Sequence, residues 1–169
     1  MDPSFASILD LLWIHFRGYL RAMTNPALAF PGNLAPITSA DDLPWVPIAP
    51  GFSFKLLRVV SDDDDDVWVE LLRLEPGTTI ARHRHTGEVH AYTLAGQREL
   101  IETGVVVGAG DYVYEPPGNV DSWRAVGSVP LVVFVTVHGA IEYLDERGNV
   151  IRRTTATTAA EAYRRGVGA

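Results

Sequence analysis

From Phe52 to Thr154 the chain is cut by glycine, proline and acidic turn signals into short apolar runs, and that cadence limits its architecture more than any other feature. The runs are Phe52 to Val60, Val67 to Leu74, Thr78 to His85, His90 to Leu94, Arg98 to Glu102, Tyr112 to Glu115, Asp121 to Val126, Leu131 to His138, Ile141 to Leu144 and Val150 to Thr154. They are rich in Val, Leu, Thr and aromatic residues, which suit a pleated, half-buried surface. Many short strands with regular turns predict an all-β sandwich or barrel. At 169 residues the chain fits one domain around one core.

The flanks read differently. Residues 1–22 predict a helical extension, with Ile8, Leu11, Leu12, His15 and Leu20 on or near one face. The apolar stretch from Ile8 to Phe16 is broken by Asp10 and His15. It falls short of the roughly 20 residues that span a bilayer, and no basic segment precedes it as in a signal peptide. Met23 is an alternative start, which would make residues 1–22 an extension. Residues 23–51 carry closely spaced Pro and Gly and predict an extended arm with turns. Residues 52–154 form the expected barrel, and residues 155–169 a short C-terminal helix and tail.

The net charge is −7, and the 14 Lys and Arg residues are scattered. This argues against binding nucleic acid or an anionic membrane. With 0 cysteines there are no disulfides, thiolate sites or cysteine nucleophiles, which is compatible with a cytoplasmic location. Any metal must be held by nitrogen and oxygen. The acidic run Asp62 to Asp66 lacks the glycine and spaced Glu of a calcium loop, and reads as a solvated hairpin turn. No nucleophile elbow, phosphate loop or Rossmann glycine pattern occurs.

Metal chemistry has residue-level support. His83 and His85 lie two apart in TTIARHRHTGEVH, so on a strand both imidazoles face one side and Arg82 and Arg84 the other. Such a pair suits iron, zinc, manganese, nickel or copper; two surface histidines are the plain alternative. A second segment, GDYVYEPPGNVD, runs from Gly110 to Asp121. Together the two segments resemble the cupin motifs G-x5-H-x-H-x(3,4)-E-x6-G and G-x5-P-x-G-x2-H-x3-N. Gly77 is followed by five residues and then His83-Arg84-His85, and Gly110 by five and then Pro116-Pro117-Gly118.

The resemblance implies a cupin barrel (a double-stranded β-helix, or jelly roll) holding one divalent metal. It puts Asp121 where cupins usually carry a third histidine. Two histidines and one carboxylate would then form a facial set, unless the shorter aspartate weakens the site. The usual cupin glutamate falls on Val89, which cannot ligate. The stretches DLPWVPIAPGFSFKLLR, ARHRHTGEVHAYTLAG and GDYVYEPPGNV are similar to the small cupins that include 2,4'-dihydroxyacetophenone dioxygenase. That likeness implies Fe(II), with Zn, Mn or Ni as alternatives, and Glu102 as fourth ligand, base or supporting group. Glu88 and His90 are alternatives for the fourth ligand, and His90 could equally orient a ligand or the substrate. Tyr92, Tyr112, Tyr114 and Trp123 are candidates for the pocket wall. His138 is expected to be structural, and His15 has no assigned role.

The implied reaction is O2-dependent cleavage of a C–C bond in a small aryl ketone or β-dicarbonyl-type substrate. The alternatives are a non-catalytic metal- or ligand-binding barrel, and an isomerase or lyase that needs no O2. By analogy with small cupins the chain is expected to pair as a homodimer.

Overall fold

Alternation decides the strands. In the run Leu131–His138 every odd-numbered residue is buried and every even one half-buried, as expected where one face meets a core and the other is only partly covered. A computed structural model describes residues 38–62 and 66–168. It contains β1 (Val46–Ala49), β2 (Phe52–Ser61), β3 (Asp66–Leu74), β4 (Thr79–His85), β5 (Val89–Ala95), β6 (Gln97–Leu100), β7 (Val105–Gly108), β8 (Tyr112–Glu115), β9 (Val120–Val126), β10 (Leu131–His138), β11 (Ile141–Leu144), β12 (Val150–Thr154) and the helix α1 (Ala156–Val167). The chain divides into Met1–Asp42 and Leu43–Ala169. In the first unit a 3-10 turn covers Ala40–Asp42; the helix expected over residues 1–22 lies outside the described residues.

The strands form two six-stranded antiparallel sheets, ordered β1-β2-β3-β10-β5-β8 and β12-β11-β4-β9-β6-β7. This is the all-β barrel expected, closed by a C-terminal helix. Each run expected between Phe52 and Thr154 is present, with ends that differ by about two residues or fewer. Two strands go beyond that expectation. β1 contains Pro47, which a ladder tolerates because β1 is an edge. It also takes up part of the segment 23–51 that the sequence suggests is an arm. β7 is an edge strand of four residues with Val105 and Val106 more than half exposed, so no alternation marks it.

Trp68, Leu72 and Leu74 of β3, Leu131, Val133 and Val137 of β10, and Trp123 and Ala125 of β9 fill the space between the sheets. The β2–β3 hairpin pairs as far as Ser61↔Asp66, so the acidic run lies at its connection. The Asp66 carboxylate accepts from the Ala156 N–H at 3.2 Å, meeting one free donor at the start of α1. Thr155 and Thr158 form a capping box there. The helix lays Ala156, Ala159, Ala160 and Tyr163 on the barrel, where the Tyr163 ring meets Phe54 edge-on and its hydroxyl donates to the Pro44 carbonyl at 3.0 Å. Among the described residues no helix is long and apolar enough to cross a membrane.

Candidate metal centre

The site is built where β4 and β9 pair. His83 stands opposite Asp121, and Ile80 opposite Trp123, so β4 carries one extra residue between these pairs. That bulge keeps Ile80, His83 and His85 all facing inward despite the odd spacing from Ile80 to His83. The His83 Nδ1 donates to the Ala81 carbonyl at 2.9 Å, which leaves the Nε2 lone pair facing the interior. Asp121 Oδ1 lies 3.2 Å from that nitrogen and 3.9 Å from His85 Nε2. One ligand atom from each of His83, His85 and Asp121 lies within 4.8 Å of the others, and all three residues are buried.

The Pro-Pro-Gly segment holds this geometry. The Asn119 N–H bonds to the Pro116 carbonyl at 3.0 Å, with Pro117 and Gly118 in between, the residue pattern of a type II turn. Gly118 has φ 85°, which a side chain would strain. The turn is tied to His85, whose N–H donates to Asn119 at 3.0 Å and whose carbonyl accepts from Gly118 at 2.7 Å. The second motif thus sets the backbone position of a residue in the first.

A further carboxylate joins them. Glu115, buried at the end of β8, brings Oε2 to 2.6 Å from His85 Nε2. Neither atom has a further hydrogen-bond partner among the described residues. In the β5–β8 ladder Glu115 pairs with Val89, so a carboxylate arrives from across the ladder at the place where valine interrupts the motif. Arg98 of β6 is 2% exposed, its guanidinium 4.9 Å from the Trp123 ring centroid, with Nε and one Nη unpaired.

These groups titrate together. Burial, then the neighbouring His85, lowers His83 to about 4, so it is neutral and free to ligate at physiological pH. Burial, then the charge of Glu115, raises Asp121 to about 7. Burial also pushes Glu115 up, but His85 and Arg98 outweigh it and hold the group below the ordinary carboxylate range. A cation held here would compete with the Asp121 proton. The donor set fits a divalent ion: Asp121 Oδ1 stands between His83 Nε2 and His85 Nε2, Glu115 Oε2 lies against His85 Nε2, and His85 Nε2, Glu115 Oε2 and Asp121 Oδ1 are buried atoms with no hydrogen-bond partner among the described residues. Unpartnered buried polar atoms are costly unless something meets them.

A cavity of about 320 Å³ opens beside this cluster, lined by His83, His85, Glu115 and Arg98 and by Phe54, Trp68, Leu72, Trp123 and Val137. Tyr143 also lines it, its ring 5.7 Å from His83 and capped by the Arg152 guanidinium at 3.7 Å. Glu70 of β3 is a second carboxyl on the wall. Burial raises it to about 7, with a bond from Trp68 pulling the other way.

Because Glu70 ionises less readily folded than unfolded, the folded state holds the extra proton and loses stability as pH rises from 4.5 to about 7. The loss is on the order of 3 kcal/mol, at about 1.4 kcal/mol for each tenfold change in proton affinity. Glu70→Gln is expected to be the more stable protein at pH 8, with the gap closing by pH 5, as read by urea denaturation. Equal gaps at both pH values would show that Glu70 is not buried as a carboxyl.

The remaining predicted residues lie elsewhere. Trp123 lines the cavity, but Tyr92, Tyr112 and Tyr114 point outward and are 43%, 58% and 48% exposed. Strand parity is the reason: Val113 and Glu115 take the inner positions of β8, and Ala91 and Thr93 those of β5. Glu102 sits in the turn after β6, accepting from the Ser122 N–H at 3.0 Å and hydroxyl at 2.8 Å, outside the ligand cluster. His90 and Glu88 group with His138 on the outer face. Sequence reasoning misses Glu115, Arg98, Glu70 and Tyr143. For Glu115 a signal exists: in Tyr-Val-Tyr-Glu, strand alternation sends the glutamate inward once the tyrosines are placed outside. For the other three the sequence holds no comparable cue.

The fold recurs in solved structures. An RmlC-like cupin protein from Ralstonia eutropha JMP134 is 26% identical with a TM-score of 0.73, covering 82% of this chain and 90% of that one. A second protein from the same organism, of unknown function with a cupin-like fold, is 21% identical with a TM-score of 0.71, covering 83% and 89%. An acetylacetone dioxygenase from Acinetobacter johnsonii is 19% identical with a TM-score of 0.66, covering 82% and 96%. At the identities of the last two, the likeness is one of fold. Comparison with curated proteins gives no significant match. The profile of the ChrR cupin-like domain matches residues 35–142, more than half the chain. Since that span contains the strands carrying His83, His85, Glu115 and Asp121, the chain with this barrel belongs to the ChrR cupin-like domain family of the cupins.

Proposed function

We propose that the chain is an Fe(II)-dependent dioxygenase that cleaves a C–C bond in a small aryl ketone or β-dicarbonyl compound. His83, His85 and Asp121 would hold the metal, with Glu115 beside His85. One observation carries the reading: two buried imidazoles that meet the Asp121 carboxylate also line a largely apolar cavity, together with an unpartnered guanidinium. The fold shared with an acetylacetone dioxygenase supports the reaction class by analogy only.

When bound, a metal with two histidines and one carboxylate supplies open positions for substrate and O2 and Lewis acidity toward a carbonyl. The chain's own groups do the rest. The Arg98 guanidinium, with donors unused, stabilises negative charge on an enolate oxygen. Glu70, with a pKa near neutrality, is suited to take the proton lost on enolate formation. Phe54, Trp68, Leu72 and Val137 keep water from the reacting carbon. Both atoms of O2 end in the two cleavage products, so no external reductant is consumed.

The test is oxygen uptake by Fe(II)-loaded protein with a panel of β-diketones and hydroxyacetophenones. Uptake matching substrate loss one for one is the expected result. Loaded protein that consumes no O2 with any panel member overturns the dioxygenase reading and leaves metal binding as the activity. Homodimer formation belongs to the same reading, and light scattering measures it.

A further inference from the structure

The parity that turns Glu115 inward turns Tyr112 and Tyr114 outward, and it places His90 of β5 and His138 of β10 on the same outer face. Glu88, just before β5, joins them. One ligand atom from each of Glu88, His90 and His138 lies within 4.8 Å of the others. These residues are half-exposed, on the face of the sheet opposite the cavity.

Three contacts prearrange the group. His90 Nδ1 is 2.6 Å from the Tyr112 hydroxyl, which leaves Nε2 to face Glu88 Oε1 at 3.5 Å. The Tyr114 hydroxyl donates to the other Glu88 oxygen, Oε2, at 3.3 Å, which keeps Oε1 for the cluster. The His138 N–H donates to the Glu88 carbonyl at 3.0 Å, tying the loop that carries Glu88 to the strand end that carries His138. Gly87 permits this approach, since a Cβ there would sit 2.3 Å from the His138 carbonyl oxygen. Holding the second ring nitrogen and the second carboxylate oxygen in this way is how metal ligands are oriented. Tetrahedral ligands about 2.0–2.2 Å from zinc stand about 3.3–3.6 Å apart, which is the spacing of His90 Nε2 and Glu88 Oε1.

We propose that Glu88, His90 and His138 form a second, solvent-facing site for a borderline divalent cation of the zinc type. Two imidazoles and one carboxylate favour Zn(II), Ni(II) or Cu(II) over Mg(II) or Ca(II). The fourth position faces water. This site stands independently of the reading of the buried centre.

Zn(II) titrated into the metal-free full chain against a chromogenic chelator tests it. Two equivalents are expected. His90→Ala and His138→Ala should each lose one of them, with at least about 100-fold weaker binding, and keep the equivalent that His83→Ala loses. Tyr112→Phe should weaken the outer site about tenfold. Because the outer residues are half-exposed, these variants should fold, and Glu88→Gln provides a second probe if either histidine variant does not. Zinc stoichiometry and affinity unchanged in the outer variants overturns the proposal, as does a single equivalent lost in His83→Ala alone. A single equivalent lost in His90→Ala but kept in His83→Ala upholds the outer site and refutes the buried one.

Discussion

Asp121→Ala is expected to strip the chain of most of its metal, whereas Asp121→His should retain it. Among the described residues Asp121 is the one oxygen donor placed against both imidazoles, at 3.2 Å from His83 and 3.9 Å from His85. It stands directly opposite His83 in the β4–β9 ladder, so the substitution removes the proposed ligand without disturbing the turn that fixes His85. Without Asp121 no carboxylate is shared by the two imidazoles, since Glu115 lies against His85 alone, and affinity should fall by at least about 100-fold. Histidine restores a donor at the same strand position with a longer reach. Elemental analysis after dialysis against a defined Fe(II) or Zn(II) concentration reads the result. If Asp121→Ala retains its full metal content, Asp121 is not a ligand.

Much of the barrel was legible because it rests on period-two burial, which β10 displays over its whole length. The exceptions are edges. β7 exposes most of its side chains and β1 carries a proline, so neither leaves a pattern to read. The site was legible where chemistry and spacing coincide, as in His83-Arg84-His85. It was obscure where a residue's meaning depends on a partner strand. Glu115 lies inside a motif spacer, and only its pairing with Val89 shows that it faces the vacancy left by that valine. The tyrosines mislead for the opposite reason: their aromatic character suggests a pocket wall, while the parity of β8 commits its inner positions to Val113 and Glu115.

Arg98→Met is expected to be among the most damaging single changes to the metal-free protein, although Arg98 lies outside the ligand cluster. After His85, its guanidinium is what holds Glu115 ionised, and it also favours the charged form of Asp121. Methionine fills a similar volume but leaves buried carboxylate charge uncompensated, which typically costs about 3–5 kcal/mol. In a chain of this size that lowers the melting temperature by roughly 10 °C. Two further arms separate charge from packing. Glu115→Gln added to Arg98→Met removes the orphaned charge and should recover a large part of the loss, a coupling that independent sites would not show. A divalent cation supplies positive charge at the same place, so the deficit should shrink in metal-loaded protein. Calorimetry of the single and double variants, with and without Zn(II), measures both. A double variant no more stable than Arg98→Met would mean that Arg98 supports the barrel by filling space beneath Trp123, and that the charge balance assigned to the centre is wrong.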